Sequence, residues 1–168
     1  TLCQGASGSF AVVSVPGITY AWSSSPAGAT VTPQGNAATI VFGNAGTFQL
    51  VVTPTNSCGT GAPLVSTIVI TAPPTVNAGN DRVVCAPNAV LMGTPQGGTW
   101  TCEFCPGTSQ VQSAGSFGLV SGLGYGPHVF RYSVNDANCG VFDDFVLVEN
   151  DRIIAGSVTG SATVCEGS

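Results

Sequence analysis

Gly43-Asn44-Ala45-Gly46-Thr47-Phe48-Gln49-Leu50-Val51-Val52 decides how this chain is read. The first four residues form a turn. Glycine adopts positive φ without steric cost, and asparagine bonds its own backbone. From Thr47 onward the apolar residues Phe48, Leu50 and Val52 fall at every second position. A period of two puts them on one face of a β-strand. The same grammar recurs in both directions. Strands are expected over Phe10 to Ser14, Ile18 to Ser23, Ala29 to Thr32, Ala38 to Phe42, Thr47 to Thr53 and Leu64 to Thr71. Pro16-Gly17 and Pro26-Ala27-Gly28 supply turns between them. Further strands are expected over Asp81 to Cys85, Ala89 to Met92, Gly98 to Thr101, Ser116 to Val120, His128 to Val134 and Val141 to Val148. In the last run Asp143 and Asp144 break the alternation, so an edge position or a bulge is expected there. No long stretch carries a helical period. Short strands with regular turns predict an all-β fold of tandem β-sandwich modules.

Composition narrows the function. Charged residues are 7% of the 168, with three Arg, no Lys, eight carboxylates and a net charge of -5. Nothing here could neutralise a row of phosphates, so nucleic acid is not an expected partner. No apolar run is long enough for a helical membrane span, so direct membrane insertion is not expected. At 43% hydrophobic the chain can bury a core and is not an acidic disordered tail. Acid, base and nucleophile residues are sparse, serine and threonine apart, which argues against an enzyme.

Seven cysteines point to an oxidising compartment. Cys3 and Cys58 lie 55 residues apart, and Cys85 and Cys139 lie 54 apart. The second cysteine of each pair sits in a similar phrase, Asn56-Ser57-Cys58-Gly59 and Asn138-Cys139-Gly140. Each first cysteine is followed by a tryptophan, Trp22 or Trp100, and both are expected in the cores. Two modules follow, 1–73 and 74–150, divided at Pro73-Pro74. Disulfides Cys3–Cys58 and Cys85–Cys139 are expected. Each closes a loop of about 55 residues, which adds about 4 kcal/mol in the chain-entropy model. Thr163-Val164-Cys165-Glu166-Gly167 repeats Thr1-Leu2-Cys3-Gln4-Gly5, so 151–168 reads as the start of a further repeat. Cys165 is then a candidate for an inter-repeat disulfide.

Cys102 and Cys105 form a CxxC. The helix of a redox motif is missing, and a zinc site needs two more ligands. A local disulfide pinning a loop is the favoured reading, with Pro106-Gly107 making the turn. Asp136, Asn138, Asp143 and Asp144 are candidate calcium ligands, although Asn135-Asp136-Ala137-Asn138 also suits a hairpin turn. No other cofactor is expected. His128 with Asp81 or Asp136 and a serine lacks a nucleophile-elbow sequence, so a catalytic triad is disfavoured.

Tyr20-Ala21-Trp22, Pro26-Ala27-Gly28-Ala29 and Gly46-Thr47-Phe48 resemble the PKD and PKD-like immunoglobulin-like modules of bacterial surface proteins. Val76-Asn77-Ala78-Gly79-Asn80-Asp81, Val84-Cys85 and Gly97-Gly98-Thr99-Trp100 resemble a second immunoglobulin-like repeat. Such repeats occur in large gliding-motility adhesins of the SprB type in Bacteroidota. The resemblance implies a cell-surface filament exported by the type IX route, whose immediate partners are neighbouring repeats. The expected function is a disulfide-stapled extracellular spacer, with a role in surface adhesion or gliding. The alternatives are a module of a secreted enzyme that touches surface polysaccharide, with Tyr125, Phe104 and Phe117 as candidate contacts, and a strand-exchanging pilus subunit.

Overall fold

A computed structural model describes residues 1–151. Among the described residues there is no helix, and fifteen strands carry the fold. The chain divides into two compact units. The first holds Thr1–Val76 together with Ser133–Asp143, and the second holds Asn77–Tyr132 and the described residues from Asp144 on. The boundary expected at residue 73 therefore falls at Val76. The second module, expected as one stretch over 74–150, is not continuous either. Its last two strands run for 11 residues each, and the hairpin tip they form groups with the first unit. The further repeat expected over 151–168 lies outside the described residues, Asp151 apart.

The first unit contains β1 (Leu2–Cys3), β2 (Ser7–Ala11), β3 (Thr19–Ser25), β4 (Ala29–Gln34), β5 (Ala37–Phe42), β6 (Gly46–Asn56), β7 (Gly59–Thr60) and β8 (Leu64–Thr71). One sheet has the order β1-β8-β6-β3, with β7 pairing the end of β6. The other has the order β2-β5-β4. Alternation decides what is buried. Ala38, Ile40 and Phe42 of β5 face Phe48 and Leu50 of β6 and Ile70 of β8 across the sandwich. Phe42 and Phe48 stack at a tilt with centroids 5.4 Å apart, and Phe10 meets Phe42 edge-on. Each such ring taken out of water contributes about 1.5–3 kcal/mol. Trp22 packs half-buried against this core, and its Nε1–H donates to the Gly35 carbonyl at 3.1 Å.

The second unit takes most of its strands from β9 (Arg82–Val84), β10 (Ala89–Met92), β11 (Thr99–Phe104), β12 (Gly107–Ala114), β13 (Phe117–Leu123), β14 (Gly126–Asp136) and β15 (Gly140–Asn150). Its sheets are ordered β10-β13-β12 and β11-β14-β15-β9. β12 escapes the sequence pattern because Val111 is its only large apolar residue. It is an edge strand, so polar Gln110 and Gln112 can face water. Both units are all-β sandwiches of two sheets. In both, the first strand pairs parallel with the last, Leu2 with Ile70 and Arg82 with Val148.

Trp100 and Tyr132 form the aromatic centre of the second sandwich, with ring centroids 4.9 Å apart. Two glycines make room for them. A Cβ on Gly93 would stand 2.5 Å from the Tyr132 ring, and one on Gly118 would stand 2.8 Å from Trp100. The Tyr132 hydroxyl donates to the Pro95 carbonyl at 2.6 Å and accepts from the Gly98 N–H at 2.9 Å. A buried hydroxyl satisfied on both sides anchors the loop before β11 at little desolvation cost.

The disulfides depart from expectation. Cys3 is bonded to Cys139, while Cys58 and Cys85 are free and exposed. The pairs Cys3–Cys58 and Cys85–Cys139 are corrected by strand geometry. Cys3 lies in register with Thr71, at the end of β8 that pairs with the first residue of β6, whereas Cys58 lies beyond the last residue of β6. An 11-residue strand separates them, about 35 Å at 3.3 Å per residue. β15 sets the same distance between Cys139, before its first residue, and Cys85, just past the pairing of Val84 with its last. A disulfide tolerates no more than about 7 Å between α-carbons. Equal cysteine spacing in the two modules marks equal positions in the fold, at opposite ends of it. Cys102 is bonded to Cys105, closing the corner where the chain leaves β11 in one sheet for β12 in the other.

Gly93→Ala is expected to destabilise the chain by about 1–3 kcal/mol, the usual cost of overpacking a core. A urea titration followed by tryptophan fluorescence measures this. An unchanged midpoint would show that Tyr132 can move aside at no cost.

Candidate functional site

The cysteines sit in two recurring local settings. Cys58 and Cys139 each occupy a hairpin tip. The Asn56 side-chain carbonyl accepts the Cys58 N–H at 2.9 Å. The Asp136 carboxylate accepts the N–H groups of Asn138 and Cys139 at 2.9 and 2.8 Å. A glycine with positive φ follows each cysteine, Gly59 at 131° and Gly140 at 92°. An Asx side chain and a glycine turn the chain, and the cysteine rides at the apex. Cys3 and Cys85 share the other setting. Cys3 closes β1 and Cys85 follows β9, the two strands paired parallel to the last strand of their sandwich.

In the first unit one cysteine of each kind meets. Cys3 and Cys139 have α-carbons 4.9 Å apart, across a sequence separation of 136. The Cys139 Sγ also lies 3.7 Å from the Thr71 hydroxyl, and that hydroxyl donates to the Leu2 carbonyl at 3.3 Å. The bond thus sits on the β1–β8 seam. In the chain-entropy model a loop of this length stabilises by about 5 kcal/mol, against about 2 kcal/mol for the short Cys102–Cys105 loop.

The residues weighed for calcium do other work. Asp136 and Asn138 belong to the hairpin turn. Asp143 and Asp144 are strand neighbours, so their side chains leave opposite faces of β15. Asp144 Oδ2 accepts the Ala78 N–H at 2.8 Å, and Asp81 Oδ1 accepts the Leu147 N–H at 2.8 Å. The β9–β15 ladder begins only at Arg82 and Val148. Below that point the two carboxylates replace backbone acceptors, and β15 lies beyond the reach of β9 at Asp143-Asp144. Among the described residues no group of three His, Cys, Asp or Glu side chains converges on a point. This use of Asp81 and Asp144 was not read from the sequence. The only signal was the doubled aspartate interrupting an apolar strand.

His128 is fully buried in β14. Its Nδ1 lies 3.0 Å from the Gly126 carbonyl, so that nitrogen carries the proton. The ring is closed off from solvent, and Asp81 and Asp136 are engaged with backbone, so the three do not assemble a triad. Glu103, within the CxxC, pairs with Arg131 at 2.9 Å. Both are partly exposed, and such a pair contributes at most about 1 kcal/mol. Tyr125, Phe104 and Phe117 are all exposed. Phe117 opens β13 and Tyr125 follows its far end, so those two do not form a row. Phe117 instead joins Met92, Val90 and Leu119 on the outer face of the β10-β13-β12 sheet, with Gln112 directly opposite Leu119.

No protein-family model matches the sequence, and no curated protein matches it. Among solved structures, it is similar to the crystal structure of DIP-gamma IG1+IG2 at 13% identity and a TM-score of 0.43, over 88% of this chain and 90% of that one. It is also similar to the Bacteroides ovatus mixed-linkage glucan utilization locus SGBP-B in complex with a mixed-linkage heptasaccharide. That match has 18% identity and a TM-score of 0.34, over 89% of this chain and 42% of that one. The chain thus spans less than half the length of the second protein.

Asp144→Ala leaves the N–H of Ala78, itself buried, without its acceptor. The expected loss is about 1–3 kcal/mol, seen as a lower urea midpoint. Hydrogen exchange at Ala78 is expected to quicken, while exchange in the Phe48 strand stays unchanged.

Proposed function

We propose that this chain is a structural segment of a long extracellular adhesin or filament, working as a disulfide-stapled spacer. The observation that carries the reading is the Cys3–Cys139 bond, which closes one covalent loop around the first sandwich and most of the second. A pull applied at Thr1 and at Asp151 would run through Cys3, the S–S bond and Cys139 into β15. Residues 4–138 lie outside that path. A segment wired in this way holds its length under load even if a sandwich opens. The two disulfides favour an oxidising compartment outside the cell. Two sandwiches on one plan suit an array whose modules contact mainly their neighbours. The scarcity of Lys and Arg leaves few sites for trypsin-like proteases.

Single-molecule stretching between the two ends tests the mechanical part. Oxidised protein is expected to yield little extension. Reduction is expected to release about 450–490 Å more, the extended length of the 136-residue separation. Full extension without reductant would overturn the spacer mechanism. Labelling native cells with an antibody to this segment tests the setting. Label along thin surface fibres, on a chain far longer than this segment, is expected. Released label on a chain bearing a catalytic domain would favour an accessory module of a secreted enzyme.

The exposed face of Val90, Met92, Phe117 and Leu119 favours one second reading, contact with surface polysaccharide. An apolar platform beside the Gln110 and Gln112 amides can stack on sugar rings and bond their hydroxyls. Under this reading Phe117→Ala abolishes retention on an insoluble glucan, and equal retention of both proteins rejects it. The strand-exchange alternative places its donor over residues 153–168, outside the described residues.

A further inference from the structure

Cys58 and Cys85 are free and exposed in a chain whose other described cysteines are all bonded. Each occupies a position that is bonded in the other sandwich. Cys58 is the hairpin-tip cysteine of the first, as Cys139 is of the second. Its N–H is capped by Asn56 two residues back, that of Cys139 by Asp136 three back, and a positive-φ glycine follows each. Cys85 follows the first strand of the second sandwich, as Cys3 closes the first strand of the first, next to the same parallel pairing. In the one bond of this kind among the described residues, a first-strand cysteine takes the hairpin-tip cysteine of a later hairpin, and both lie in the first unit.

We propose that Cys58 and Cys85 are the two halves of this same staple, each made to bond a further repeat of the same plan. Cys85 takes the hairpin-tip cysteine of a following repeat, and Cys58 takes the first-strand cysteine of a preceding one. A second copy of this chain offers both, so copies are expected to join head to tail through Cys85 of one and Cys58 of the next. Bonding within either sandwich is barred, because first-strand and hairpin-tip cysteines stand about 35 Å apart along a strand. In each new bond two thiols lose two protons and two electrons to form one S–S bond. A disulfide oxidant such as oxidised glutathione accepts them and leaves as two thiols. The inference deepens the spacer reading, since its partner is another repeat.

The test uses the whole chain with Cys165→Ser as background. Cys58→Ser and Cys85→Ser versions are purified, and mass spectrometry checks that Cys3–Cys139 is intact in each. They are then mixed in a glutathione redox buffer and run on a non-reducing gel. The expected product is a dimer of one chain of each kind, joined through Cys85 and Cys58, at least ten-fold above either homodimer. Homodimers in statistical proportion, or glutathione adducts alone, overturn the proposal. The background chain with both thiols is expected to give a ladder of multimers linked by Cys58–Cys85 peptides. A Cys58–Cys85 bond within one chain also overturns the proposal. This readout needs only purified protein, so it can fail while surface labelling succeeds, and the reverse.

Discussion

A β-strand of 11 residues is about 35 Å long, and a disulfide tolerates about 7 Å between α-carbons. This chain places cysteines at both ends of such strands, Cys3 and Cys58 about β6 and Cys85 and Cys139 about β15. No sandwich can close on itself through those cysteines. Cys3 instead meets the cysteine of a different hairpin, and Cys58 and Cys85 stay free. The bond that forms, Cys3–Cys139, sits on the β1–β8 seam and ties the start of the chain to the far hairpin.

Around that constraint the two sandwiches solve the same packing problem with different residues. The first fills its centre with Phe42, Phe48 and Ile40. The second uses Trp100 and Tyr132, and omits side chains at Gly93 and Gly118 to seat them. The parallel seam between first and last strand is short in both, and in the second it is lengthened by carboxylates. Asp144 and Asp81 accept backbone N–H groups where no strand partner is present. Asp81, Asp136 and Asp144 thus serve backbone geometry. This is also why acidic pairs that look like ion ligands in the sequence turn out to be spread along a strand and a turn.

Much of this was legible from residue order. Alternation at Phe48, Leu50 and Val52 marked a strand with one buried face, and the structure buries all three. Turn chemistry at Asn135-Asp136-Ala137-Asn138 suited a hairpin turn, and the structure places a hairpin tip there. β12 was not legible, because a polar edge strand lacks the apolar period that betrays a buried one. The role of Cys102–Cys105 was not legible either, since only the passage from one sheet to the other gives that corner a purpose.

The amino-acid sequence alone determined the all-β class and the buried face of strands such as the one through Phe48, Leu50 and Val52, because local period and turn chemistry act over a few residues. Only the tertiary structure decided which cysteines meet. Spacing along the chain is blind to which end of a strand a residue occupies. Strand direction and register set that, and they belong to the folded sheets.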